Sequence, residues 1–268
     1  MLLAAIEILD QAAVYMEYDP IALKKIVLHL ESFLPAILLF YSLTYARQIS
    51  DRAISTPWWG FLAMSVIFPV STILLPADSF FYSPDLQTEK MLFLGDVGYW
   101  FYMGMMVYCI LALMNVEATY SAASGSEKWR IKFEIIGIGS ILAVLIFYYS
   151  QGLLYRSINM NLIPIKSGVF IIGSVLIGYS KIFRGDSVRI KVSRYILYRS
   201  MTLLTVGLYL VVLGLIGAGL RYFGVSFSRD LTIFIAFATG IGMVIILLSG
   251  RMRRRAVVFF RKHFFVHK

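Results

Sequence analysis

Five side chains stand out for their placement: Glu31, Asp96, Gln151, Arg156 and Lys166 all fall inside or at the edge of long apolar runs. Ionisable groups are costly in lipid, so each is a candidate for ligand binding or signal sensing. At 1.5 Å per helical residue, Glu31 and Asp96 each lie roughly 8 Å inside the outer ends of their runs. Gln151, Arg156 and Lys166 arrive at the same level from the fourth and fifth runs. Asp96 shares a helix face with Tyr99 and Trp100, and Gly95 and Gly98 leave room for a neighbouring helix. Tyr148, Gln151 and Tyr155 align in the same way. The expectation is a polar, aromatic-walled, ligand-sensing pocket open to the outer face, built from Glu31, Asp96, Tyr99, Trp100, Gln151, Arg156 and Lys166. The alternative is that these groups only pair with one another and hold a bundle together.

Other reactive residue types give less. Glu134 opens the fourth run, where a carboxylate suits a helix N-terminus. His263 and His267 stand four apart, a zinc-like spacing, but no third ligand accompanies them, and His29 is isolated. Cys109, the single cysteine, sits in an apolar run, so no disulfide framework or cysteine metal cluster is expected. No phosphate-binding glycine loop, His-Glu-x-x-His or nucleophile elbow occurs, so these 268 residues are expected to hold no catalytic residue, no metal and no cofactor.

The elements that must position these side chains are membrane helices. A hydrophobic content of 59% against 15% charged, with a mean hydropathy of +0.78, excludes a soluble globular domain. Seven runs approach the ~20 residues needed to cross a bilayer: 26–46, 57–76, 91–114, 133–154, 164–182, 197–220 and 231–250. With the N-terminus outside, 18 lysines and arginines fall on the cytoplasmic side and seven on the outer side. Positive charge is retained in the cytoplasm, which gives an all-α, seven-helix bundle with its N-terminus outside and its C-terminus inside. The net charge of +10 is distributed in loops and tail as topology and anionic lipid headgroups require, so lipid and not nucleic acid is the expected partner.

Three segments follow. Residues 1–24 read as an amphipathic helix on the outer face or a disordered start, with Leu2, Ile6, Leu9, Ala13 and Met16 at helical spacing and Glu7, Asp10 and Glu17 interrupting. Residues 25–250 form the membrane domain, and 251–268 a basic exit helix. Pro35 and Pro69 should kink their spans. Trp58, Trp59 and Trp129 sit where interfacial rings are expected. Gly207, Gly214, Gly217 and Gly219, with Ala236, Gly240 and Gly242, allow close helix contacts.

The stretches YSQGLLYR (149–156), VSRYILYRS (192–200), GLYL and GLRYFG (207–224) and LLSGRMRRRAVVFFRKHFF (247–265) resemble the membrane input region of PrsK-type sensor histidine kinases. Those kinases accompany the exosortase and PEP-CTERM protein-sorting systems of Gram-negative bacteria. The resemblance is close from Lys128 onward and general before it. It implies a bacterial inner-membrane sensor, a homodimer, whose last helix leads into a GAF-like domain, a phosphorylated helical pair and a domain using ATP and magnesium, with a response regulator as partner. Those kinase regions are expected in a longer parent beyond Lys268. Neither His263 nor His267 has the adjacent acidic residue of a phosphoacceptor.

Independently of the resemblance, the chain from 231 to 268 has no proline and no glycine beyond Gly250, as a continuous relay helix requires. Arg251, Arg253, Arg254, Arg255, Arg261 and Lys262 are the expected relay and headgroup-contact residues. A small shift of this helix would bias two states of an output domain. The rival expectations are a stand-alone scaffold that recruits a cytoplasmic partner through its basic tail, and a small-solute or lipid transporter. Charge-free second and seventh spans weigh against transport.

Overall fold

A computed structural model of the protein describes residues 3, 5–9, 20–45, 56–82, 91–184, 207 and 211. Apart from Gly207 and Val211, the sixth and seventh predicted spans, the basic tail and its relay residues lie outside the described residues. Within them the chain is mostly helical, with five helices long and apolar enough to cross a membrane: Lys24–Thr44, Pro57–Leu74, Asp96–Ala122, Gly125–Tyr155 and Met160–Phe183.

The first two of these helical stretches are broken where proline demands it. Helices α1 (Pro20–Glu31) and α2 (Leu34–Thr44) are separated by a turn at Ser32 and Phe33. Pro35 lacks an N–H and its ring crowds the carbonyl four residues back, on Glu31. Helices α3 (Thr56–Met64) and α4 (Ile67–Leu74) part at Ser65 and Val66 for the same reason at Pro69. A short helix α5 (Ala77–Phe80) then leads into strand β1 (Phe81–Tyr82).

The third span starts later than its hydropathy implies. Met91–Leu94 is a strand, β2, and helix α6 (Asp96–Ala122) begins only at Asp96. Strand β2 pairs antiparallel with β1 (Phe81 opposite Leu94) and with β3 (Ser157–Asn159; Leu92 opposite Ile158). Hydrophobicity alone does not separate a buried four-residue strand from helix. Asp96 is therefore the first residue of its helix and not a group well inside a span, which corrects its expected depth.

Gly95 and Gly98 do permit close approach, to α5: a Cβ on Gly98 would lie 2.2 Å from the Phe80 carbonyl oxygen. Helix α7 (Gly125–Tyr155) opens on a capping box, with the Ser124 amide donating to Glu127 Oε2 at 2.7 Å. It ends at Arg156, whose φ of 49° is left-handed, a conformation that costs a non-glycine residue about 1 kcal/mol. That turn sends the chain into β3 and, through a short 3-10 turn (Met160–Leu162), into α8 (Ile163–Arg184). Helices α7 and α8 touch through glycines, since a Cβ on Gly137 would fall 2.7 Å from the Gly173 carbonyl oxygen.

The core lies between α6, α7 and their neighbours, with Tyr102, Met105, Met106, Leu142, Leu145 and Tyr149 fully buried. Small hydroxyls in the helices bond back to their own turns, as Ser42 does to the Leu39 carbonyl at 2.7 Å and Thr119 to Asn115 at 3.0 Å, so they need no partner from lipid. Of the tryptophans, Trp59 and Trp129 are exposed, but Trp58 is packed into the core.

Candidate functional site

Lys166 enters on the first turn of α8, and its apolar surroundings leave the ammonium only protein partners. It is buried, and its Nζ donates to Glu31 Oε1 and lies 2.6 Å from Glu7 Oε1. Ser167, the next residue, donates its hydroxyl to Glu7 Oε2 at 2.8 Å. Glu31 closes α1, and the Ser32–Phe33 break holds it there. Lys24, two turns earlier on α1 and fully buried, acts electrostatically on both carboxylates. Two ammonium groups thus face two carboxylates. Opposed charges compensate the desolvation that a single buried ion would suffer.

Glu7 reaches this cluster from the N-terminal segment, where residues 5–9 are helical, with Ile8 and Leu9 exposed and Glu7 inward. The residue that interrupts the amphipathic pattern is the one that docks. Burial holds its carboxyl above the ordinary range, with the Lys166 charge opposing that rise.

The wall of the cluster is aromatic. Lys166 Nζ sits 4.3 Å from the centroid of the Tyr148 ring, within cation–π range. Tyr148 packs on Tyr149 at 6.0 Å, and Tyr149 on Tyr102 at 5.3 Å. The Tyr148 hydroxyl is buried without a hydrogen-bond partner among the described residues.

The other predicted residues assemble separately. Asp96, with an 87% exposed side chain, pairs with Arg156 at 3.2 Å. The guanidinium carbon of Arg156 stands 4.7 Å over the Tyr99 ring, and Trp100, exposed, meets Tyr99 edge to face at 6.0 Å. An exposed pair of this kind contributes about 0–1 kcal/mol. Gln151 lines a cavity of about 200 Å³ together with Tyr148, Tyr155, Ser157, Asn159 and Met91. The seven predicted residues therefore divide among three places at the sheet end of the bundle: Glu31 and Lys166 in the buried cluster, Gln151 in the cavity, and Asp96, Trp100 and Arg156 on the rim against the buried ring of Tyr99. Tyr148 belongs to both cluster and cavity.

A second polar group lies toward the opposite end of α7 and α8. Tyr41 donates its hydroxyl to Glu134 Oε1, and Lys181 approaches the same oxygen at 4.0 Å. Glu134 is buried and lies well inside α7, which opens at Gly125, so its role is tertiary and not the expected one of a charge at a helix N-terminus.

Sequence reasoning overlooked Glu7 and Lys24 as cluster members. The sequence carried no signal for them, because Glu31 and Lys166 already balance in charge and an acidic residue in an amphipathic stretch looks like a solvated face. No protein family model matches the chain, nor does any curated protein or any solved structure.

Proposed function

We propose that this chain is a membrane-embedded input module of a two-component sensor histidine kinase in the bacterial inner membrane. In this reading the sheet end is the outer face, the chain crosses seven times, and the basic exit helix carries the signal to a cytoplasmic kinase region. The observation that carries it is the continuity of α8: the same helix bears Lys166 at the sheet-end cluster and Lys181, about 22 Å further along, at the Glu134 group. A displacement of Lys166 against Glu7 and Glu31 moves a rigid rod whose far end is itself in a polar contact, which is what a two-state relay requires. The resemblance of the segments between 149 and 265 to PrsK-type input regions and the bias of basic residues toward one side support the same reading.

The test is a fusion of residues 1–268 to a dimeric histidine-kinase core driving a reporter. Lys166→Met is expected to change basal output several-fold. Unchanged output from membrane-inserted protein at normal abundance sinks the proposal. Labelling of Lys268→Cys by an impermeant maleimide only after permeabilisation supports the orientation; the native Cys109 is buried and contributes little background.

The closed pairing of the sheet-end cluster favours one other reading, a stand-alone scaffold recruiting a partner through the basic tail. A scaffold predicts that Lys166→Met lowers abundance without altering what the tail binds.

A further inference from the structure

The cavity between the end of α7 and strands β2 and β3 has a composition that specifies a ligand class. Among its lining residues, none carries a charge. Met91, Ile158 and Leu162 give apolar walls, Tyr148 and Tyr155 give rings, and Gln151 and Asn159 bring amides that both donate and accept hydrogen bonds. An ionised ligand would find no counter-charge there: Arg156 is committed to Asp96, and Lys166 to Glu7 and Glu31. An apolar cavity of roughly 150 Å³ takes benzene, so about 200 Å³ suits one ring with a short substituent. A ring enters against Tyr and Met, and a hydroxyl on it meets the amides.

We propose that this cavity binds a small uncharged phenol or aryl alcohol. Occupancy is read through Tyr148, which lines the cavity, carries a buried hydroxyl without a hydrogen-bond partner among the described residues, and packs its ring on Lys166 at 4.3 Å. A ligand that moves this ring alters the cation–π contact of the lysine that holds both carboxylates. This transmission step rests on the sensor reading above, whereas binding does not.

The full chain in vesicles of phosphatidylethanolamine and phosphatidylglycerol is titrated with 4-fluorophenol and followed by fluorine NMR, against protein-free vesicles to subtract partitioning. Saturable binding is expected, with 4-fluorobenzoate failing to bind or compete. Gln151→Leu should weaken binding at least five-fold. Gly152→Ala should also weaken it by narrowing the cavity; the added Cβ meets only ordinary contacts, the nearest at 3.7 Å from Ile158 Cγ1. Uptake equal to protein-free vesicles, equal binding of the benzoate, or unchanged affinity in both variants overturns the site. Saturable binding that leaves the kinase fusion silent keeps the site and overturns its coupling through Tyr148.

Discussion

The two polar groups on α7 and α8 use the same parts to different ends. At the sheet end, Lys166 is sealed from solvent and held by two carboxylates that come from residues 7 and 31, far apart in the chain. Toward the other end, Lys181 is half-exposed, with a 47% accessible side chain, and a single carboxylate, Glu134, takes a tyrosine hydroxyl as its nearer partner. The first is an all-or-none device, because removing one member strands the others in a medium that cannot solvate them. The second tolerates loss of its lysine better, since Lys181 is half-exposed and the buried Glu134 keeps the Tyr41 hydroxyl as a partner.

The largest test of that contrast is Lys166→Met. Stranding Glu7 and Glu31 should cost about 3–5 kcal/mol, measured by unfolding in detergent, and should free residues 5–9 to exchange their amide hydrogens. Adding Glu31→Leu, Glu7→Leu and Lys24→Met should restore most of the loss, because an apolar replacement of a whole buried ion group is often neutral. Failure of this quadruple variant to recover would show that specific geometry and not charge balance holds this end.

Gly137→Val attacks the contact that lets α7 and α8 act together. The added atoms meet the Gly173 backbone and the Leu176 and Ile177 side chains, and overpacking of this kind costs about 1–3 kcal/mol. Cysteine pairs across the two helices near Tyr148 and near Glu134 should both crosslink less. A change at one end only would show that the helices do not move as a unit.

Glu134→Gln should be mild, about 1 kcal/mol or less, since the amide still accepts from Tyr41 and the lost ionic partner, Lys181 at 4.0 Å, is half-exposed and remains solvated. An effect rivalling Lys166→Met in the same unfolding measurement would erase the distinction between the two ends.

The smallest effect concerns pH. Glu7 faces Lys166 and Ser167 from α8, Glu31 and Lys24 from α1, and Tyr148 from α7, and burial raises its carboxyl above the ordinary 4.5. Docking of residues 5–9 therefore takes up protons: the contribution is fully present below the ordinary value and is lost as pH rises through the raised one. Hydrogen exchange of these amides, corrected for intrinsic rates, should show protection falling across that window; protection that rises with pH would reverse the assignment.

Much of this was legible in the residues. Apolar length marked the five described helical stretches long enough to cross a membrane, and Pro35 and Pro69 marked the breaks in the first two, because both follow from chemistry that acts locally. The depth of Asp96 was not legible: MLFL at 91–94 reads as the start of a helix until β1 and β3 are known to flank it. Nor was the inward turn of Glu7, since an isolated acidic residue in an amphipathic stretch looks like a solvated face until a buried lysine is set against it.

By itself the sequence determined that the chain must form long apolar helices with charges concentrated at their ends, since lipid accepts little else. Only the tertiary structure decided which charges meet. Pairing Glu7, Glu31 and Lys166 while leaving Asp96 and Arg156 on the rim depends on where a kink, a three-stranded sheet and a left-handed turn place residues far apart in sequence, and electrostatic attraction acts on distance in space, not along the chain.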